Sequence, residues 1–515
     1  MKNDLASSPV LKFLVVVLYI IVTAAAFAFS LYLLVYGTHD IYTYLIAVLF
    51  LILTSISGFF NIFTSYAYYR SSLYYRYLKS IDDSTRPLEN YPTVAVAMPV
   101  YNENPVIVEK NLSRLQELNY AKGRITFYLL DDSTDAATRR RLKAFSESHR
   151  IRYIHRKDRE GYKAGALNNM LRHCKEEFIA IFDYDEYITN RNFLMDLLPY
   201  FQDPSVSFVQ TEKRYFKGNL FSDTVDLFDA YFFKFIQPSR AMNNTAVFAG
   251  SCGIIRRSAL RNIGGFPEYI IEDTFFSLES DIHKYKGLYI PKVYALGKPM
   301  TTFTELAKQQ WRYNYGDTQF LFYFLRKKNL SMPGKSKVDY VVHGLGLNYI
   351  STVLIMFTLV SVLIVFSSFA ISRLSIAQLV EASSLNFWIE VFGVSTFVLS
   401  ICTPIVMTKI HFKSVTKGVM VFLLNFALSF VRFKAAIAAA LNHMPFLAWT
   451  ADTGENSTKK AASAFRKSTH EVIFSGALLA LSLVALLVNN IFGALWLLWY
   501  GVLYISAFFF FYKYG

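Results

Sequence analysis

Long stretches without a charged side chain decide what this chain can become. Residues 13–36, 41–69, 342–371 and 472–512 carry no Asp, Glu, Lys or Arg, and 385–408 carry only Glu390. A bilayer core takes roughly 20 apolar residues per helix. Inside it every backbone polar group must be satisfied within the segment, which a helix achieves. The first run is too long for a signal peptide, and a second follows it directly. Together they read as an N-terminal transmembrane hairpin, while Asn489-Asn490 divides the last run into two spans.

Charge orients these spans. The chain has 53 Lys and Arg against 38 Asp and Glu, a net charge of +15. In a soluble chain that excess would point to nucleic acid; between hydrophobic runs it reads as positive-inside loops, and no nucleic-acid partner is expected. Basic residues cluster at 326–337, 409–417, 459–467 and Lys513, and thin out near 373–384 and 489–490. The clusters share the cytoplasmic face only if 418–441 starts and ends inside. That segment is apolar but holds Arg432 and Lys434, which suits a helix in the membrane interface with both side chains snorkelling to water.

The expected order is therefore a transmembrane hairpin at 1–70, a linker at 71–90 and a cytoplasmic domain at 91–317. An amphipathic interfacial region at 318–341, a transmembrane pair at 342–415 and an interfacial helix at 416–443 follow. A cytoplasmic loop at 444–469 and a second transmembrane pair at 470–515 close the chain. The pattern predicts an integral plasma-membrane protein with six transmembrane helices and both termini cytoplasmic. Cys174, Cys252 and Cys402 are widely spaced and form no zinc or disulfide pattern.

Within the cytoplasmic stretch, Thr93–Pro99, Ile125–Leu130, Phe178–Phe182 and Val206–Gln210 read as strands separated by helical segments. Such alternation implies βαβ units and a mainly parallel sheet. The third strand runs straight into Asp183-Tyr184-Asp185-Glu186. Carboxylates at the carboxyl end of a strand in an open α/β sheet sit where these sheets bind ligands. Asp183 and Asp185 are candidates to share Mg2+ or Mn2+, which take hard oxygen ligands. An isolated D-x-D is more often a solvated turn, so the surroundings must decide.

Those surroundings repeat the pattern. The first strand leads into Tyr101-Asn102-Glu103, and the second ends in Asp131-Asp132-Ser133-Thr134-Asp135. A carboxylate there can accept hydrogen bonds from a base or ribose, while one of the later residues caps the next helix. Lys163, among Gly161, Ala164 and Gly165, allows a cation and a backbone to approach a phosphate; a lone lysine near glycine is usually only a turn. Glu272-Asp273 stands between apolar residues. A partly buried carboxylate there can serve as general base, although an acid pair favoured by a helix dipole is the commoner reading. Gln309-Gln310-Trp311-Arg312-Tyr313 offers an Arg fork for a diphosphate and rings for a sugar face, against the plainer reading of an interfacial aromatic belt.

In this order and spacing the motifs resemble the membrane-embedded members of glycosyltransferase family 2, such as cellulose, hyaluronan and mannan synthases, over about Phe13 to Tyr512. The resemblance implies an α/β glycosyltransferase A-type domain, with a mixed, mainly parallel sheet, inserted between α-helical transmembrane segments. It implies a donor side of Tyr101, Glu103, Asp131, Asp132, Lys163, Asp183, Gln309 and Arg312, with metal at Asp183 and Asp185. Asp273 falls on the base of the family's T-E-D, and Ser251, Cys252, Glu272, Trp311 and Tyr313 are expected on the acceptor side. Ile271 replaces the usual Thr of T-E-D, and Tyr313 the Trp of Q-x-x-R-W. Pro445–Thr450 with Lys459-Lys460 resembles the gating loop.

The implied reaction is a single inverting, metal-dependent displacement from a nucleotide-diphosphate sugar, a UDP-hexose being favoured and GDP-mannose the alternative donor. Its product is a growing polysaccharide moved across the bilayer. A non-processive glycolipid synthase resembling ceramide glucosyltransferases, with a lipid acceptor, is the nearest rival. A transporter with a regulatory domain is disfavoured, because the spans hold few ionisable residues.

Overall fold

The computed structural model describes residues 41–327, 330–371, 411–441, 460–487 and 491–515, with isolated positions in 13–31 and 405–409. Most of the first expected span, the expected span at 385–408, Cys402 and residues 444–459 of the expected gating loop lie outside them.

Eight strands form one sheet among the described residues: β1 Val94–Val100, β2 Ile125–Asp131, β3 Arg152–His155, β4 Phe178–Ile181, β5 Tyr187–Ile188, β6 Val206–Tyr215, β7 Gly253–Arg256 and β8 Lys286–Gly297. Their order is β3-β2-β1-β4-β7-β6-β8-β5. Strands β3, β2, β1 and β4 run parallel, β6 pairs parallel with β8, and β7 runs antiparallel between β4 and β6. The sheet is the expected mixed, mainly parallel one. Apolar runs on β1 and β4 make central strands whose side chains are buried on both faces. Because the chain passes from β1 through β2 to β3 and then returns to β4 on the other flank of β1, the order reverses at β1/β4. A crevice opens at the carboxyl ends there.

Helices extend beyond their expected limits. The helix Ile41–Ser84 has 44 residues and is about 66 Å long at 1.5 Å per residue, so it runs through most of the expected linker. Its Tyr74 hydroxyl donates to the Tyr289 carbonyl, and its Asp82 accepts from Tyr200. The helix Phe303–Arg326, opened by a Thr302/Glu305 capping box, crosses the boundary expected at 317. It therefore belongs both to the domain built on the sheet and to the layer against the apolar helices.

Two described helices are long and apolar enough to cross a bilayer, Thr469–Leu487 and Gly493–Tyr514. Ser475 and Ser482 on the first donate to the Gly501 and Ala494 carbonyls on the second, each at 2.7 Å, so small polar side chains bond the pair. The helices Val415–Ala427 and Ser429–Ala440 meet at a 41° bend and would count as a third span only if taken together. Arg432 does not snorkel as expected. It is fully buried, with Nε 3.0 Å from Gln310 Oε1 and Nη1 3.1 Å from Asn425 Oδ1. Partners on two helices make that burial tolerable, since a buried charge needs hydrogen bonds.

Helix Phe303–Arg326 packs Phe320 and Phe324 on Phe275 and Leu278 of the helix Glu272–Ile282, and a glycine sets how closely it approaches. A Cβ on Gly316 would stand 2.7 Å from Ile271 Cγ2 and 2.8 Å from Ile271 Cγ1. Gly316→Ala is therefore expected to cost about 1–3 kcal/mol of overpacking and to lower the thermal unfolding midpoint by several degrees. The Gly316→Ala/Ile271→Ala double variant should lose less than the sum of the two singles, because one contact is being counted twice. Additive losses in a melting series would show that the two residues do not bear on each other.

Candidate active site

Local chemistry builds the crevice from its floor. Asp131, at the last position of β2, is fully buried; it accepts from the Ser133 amide at 2.9 Å and the Tyr153 hydroxyl at 2.6 Å. Asp132 is bound by the Arg156 fork. Asn102 has a φ of 52° and ties the turns after β1 and β2 together. Its Oδ1 accepts from the Thr134 and Asp135 amides at 2.8 and 3.1 Å, and its amide donates to Ser133 Oγ at 2.8 Å. Asp135 caps the next helix, so the cap uses neither of the first two acids, which Ser133, Tyr153 and Arg156 engage instead. Over this floor the Arg159 guanidinium lies 3.2 Å from the Tyr101 ring centroid, a stacking that suits a planar cation on an aromatic face.

Lys163 lies in the first turn of the helix Tyr162–His173 and donates to Asp183 Oδ1 at 2.5 Å. Five residues on, Asn168 holds the Phe266 backbone at both ends, with bonds of 2.7 and 2.9 Å. This pins the loop that leads to Glu272 and Asp273. Asp183 Oδ2 also faces Ser251 Oγ at 2.8 Å. Burial alone would raise the Asp183 carboxyl, but Lys163 and Lys213 outweigh it and hold it well below the usual carboxylate range. Asp185 goes the other way, pushed up to about 7 by burial and by the charges of Asp183 and Glu186.

The residues expected on the acceptor side divide. Glu272 and Asp273 lie in the first turn of Glu272–Ile282, and burial raises both. A Cβ on Gly250 would stand 3.1 Å from Asp273 Oδ2 and 3.6 Å from Lys163 Nζ, so these two groups meet over a bare backbone. On Phe303–Arg326, the Tyr313 hydroxyl accepts from Gln309 at 3.2 Å, and Tyr313 stays 40% exposed. Trp311 turns elsewhere: it stacks on Tyr315 at 5.1 Å and packs with Ala435 and Ala439. Ser251 and Cys252 lie beneath the D-x-D and are buried; their loop takes φ values of 80° at Gly250 and 52° at Cys252. Sequence reasoning overlooks Lys213 on β6, whose Nζ is 3.6 Å from Asp183 Oδ2.

Among the described residues no group of three or more His, Cys, Asp or Glu could hold a metal ion by itself. Asp183 and Asp185 nevertheless fit one completed by a donor's phosphates, the usual arrangement for Mg2+. Their mutual repulsion, which drives Asp185 upward, is what a divalent charge would relieve.

A mixed sheet of this order, with acids gathered at its switch point, defines a glycosyltransferase A-type domain. Residues 95–264 match Glycosyl transferase family 2. It is 30% identical over 239 residues to the cellulose synthase catalytic subunit [UDP-forming] of Pseudomonas fluorescens, covering 45% of this chain and 32% of that protein. It is 28% identical over 251 residues to a probable glucomannan 4-beta-mannosyltransferase of Oryza sativa, covering 45% and 42%. The matched stretch thus spans from about a third to under half of these relatives. The fold also resembles a mannosyltransferase from Pyrobaculum calidifontis in complex with GDP-Man and Mn2+, at 17% identity and a TM-score of 0.51 over 76% of this chain and 99% of that one.

Glu103 tests the electrostatics of the crevice. Burial, reinforced by Asp185 and Asp183 and opposed by a Tyr184 hydrogen bond and by Lys298, pushes it up to about 7. A folded-state value above the unfolded one means stability is lost as pH rises from the unfolded value through about 7. Glu103→Gln should melt with native protein at pH 5 and several degrees above it at pH 8. A parallel pH dependence in the two proteins would show that Glu103 is not strained by its neighbours.

Proposed function

We propose that this protein is an inverting membrane hexosyltransferase that adds a hexose from a nucleotide-diphosphate sugar to a growing polysaccharide. The observation that carries this is the meeting of Lys163 and Asp273 over Gly250: the donor-side cation and the acceptor-side acid face one small space. A single displacement needs that geometry, with the base and the leaving group on opposite faces of the sugar carbon. The Asp131 and Asp132 turn would receive the nucleoside, and Lys163 and Arg312 the diphosphate. Asp183 and Asp185 would hold Mg2+ or Mn2+, which when bound supplies charge neutralisation to the diphosphate. The acceptor oxygen bonds to the anomeric carbon as the bond from that carbon to the β-phosphate oxygen breaks. The electron pair leaves with the diphosphate, and the acceptor proton passes to Asp273. Burial, which raises Asp273, makes it a better base than an exposed aspartate.

A UDP-hexose remains the favoured donor, in line with the UDP-forming relative, and GDP-mannose the alternative, in line with the mannosyltransferase relatives. Incubating purified protein with labelled nucleotide sugars and Mn2+ tests the reading. Asp273→Asn is expected to lower the transfer rate by about 10²–10⁴ and to leave nucleotide affinity within about twofold. Retained turnover, or a large loss of nucleotide binding, would give Asp273 a structural role.

We further infer six transmembrane helices, polymer translocation coupled to synthesis, and an interfacial 416–443. Three contacts on the catalytic side support this topology. Lys417 pairs with Asp223 at 2.9 Å, Lys467 donates to Thr304 at 3.3 Å, and Tyr514 stacks on Phe221 at 4.8 Å. Both ends of 417–467 and the last residues thus touch the same side, which a single crossing at 418–441 would forbid. In a cysteine-free background, Ala462→Cys should react with membrane-impermeant maleimide only after cells are opened. Labelling of intact cells would mean that 418–441 crosses.

A further inference from the structure

We propose that Lys213 is a catalytic cation of this site, contacting the departing diphosphate, and that Glu186 is the positioning residue that seats it. This rests on the glycosyltransferase reading above. Lys213 projects from β6 and donates to Ser251 Oγ at 2.6 Å; its Nζ is 3.2 Å from Glu186 Oε1 and 3.6 Å from Asp183 Oδ2. The contact to Asp183 is the longest of the three, so the donor on that side is the one an arriving anion can take over.

Exposure rises outward through the cluster. The Glu186 side chain is 4% exposed, Lys213 19% and Asp183 30%. Glu186 therefore lies underneath and Lys213 between it and the opening. Glu186 holds two things at once: Oε1 faces Lys213 and accepts from Ser251 Oγ at 2.6 Å, and Oε2 accepts the Asp183 amide at 2.9 Å. One buried carboxylate thus fixes the backbone of the D-x-D and the lysine beside it.

Position completes the argument. Lys213 acts electrostatically on Asp185, on Asp273 and on Tyr313, so its charge reaches both halves of the site. Lys163 approaches Asp183 through Oδ1 and Lys213 through the Oδ2 side. A diphosphate arriving at Asp183 and Asp185 would lie between two lysines. Negative charge that grows on it as the sugar leaves would be met by a preorganised ammonium.

The test compares native protein, Lys213→Met, Lys213→Arg and Glu186→Gln by calorimetric titration in Mn2+ buffer. UDP and GDP serve as probes, with UMP and GMP as controls. Lys213→Met is expected to weaken the diphosphate that the native protein binds by at least about tenfold, the loss of one charged hydrogen bond, and to change the monophosphate by less than about twofold. Lys213→Arg should recover most of that affinity. Glu186→Gln should weaken the diphosphate alone, by about threefold or more, which keeps the idea testable if Lys213→Met does not fold. Unchanged diphosphate affinity in Lys213→Met or Glu186→Gln overturns the proposal, as does an equal loss for monophosphate and diphosphate. Native protein that binds neither UDP nor GDP overturns the glycosyltransferase reading itself.

Discussion

The ion pair between Lys163 and Asp183 ties the helix Tyr162–His173 to the turn after β4, above the core that both bury. Lys163 starts a helix whose Asn168 pins the loop before Glu272. Asp183 ends β4 and, through Ser251, fixes the loop that bares the Gly250 backbone to Asp273. Two carboxylates with one residue between them at a strand end repel each other. Here one is held ionised by lysines and the other is forced upward.

Much of this site is legible in the sequence because its acids follow apolar runs. An open α/β sheet gives Phe178–Phe182 followed by Asp183 one place to put its carboxylate, and the same holds for β2 and Asp131. Lys213 offers no such signal. It stands between Glu212 and Arg214 on a strand, where alternating charge reads as solvated edge. Only the pairing of β6 with β7 brings it to Ser251, 38 residues away. Strand β7 is similarly obscure, because four residues between a glycine loop and a helix carry too little periodicity. At Ser251 and Cys252 the way the side chains point depends on the two left-handed residues that bend the loop, Gly250 and Cys252, which no sequence pattern announces.

The membrane half shows a different limit. Hydropathy counts a charge at Arg432 but not its partner, and Gln310 lies 122 residues earlier. Snorkelling is the sound expectation for an arginine that has nothing to bond. With Gln310 and Asn425 as acceptors, burial becomes the better solution, and the guanidinium becomes a tie between helices. The 41° bend before it follows the same logic. A straight 415–440 would be a plausible span, whereas a bent one lies against Phe303–Arg326 and the catalytic domain.

Gln309 and Gln310 carry the last step, because neighbouring positions on a helix point about 100° apart. Gln309 reaches Tyr313 at the mouth of the site, while Gln310 reaches Arg432 in the bent helix pair. The next residue, Trp311, packs toward Ala435 and Ala439, and Gly316 lets the same helix close onto Ile271 beside Glu272 and Asp273. The helix Phe303–Arg326 thus presents one face to the chemistry and the other to the apolar helices.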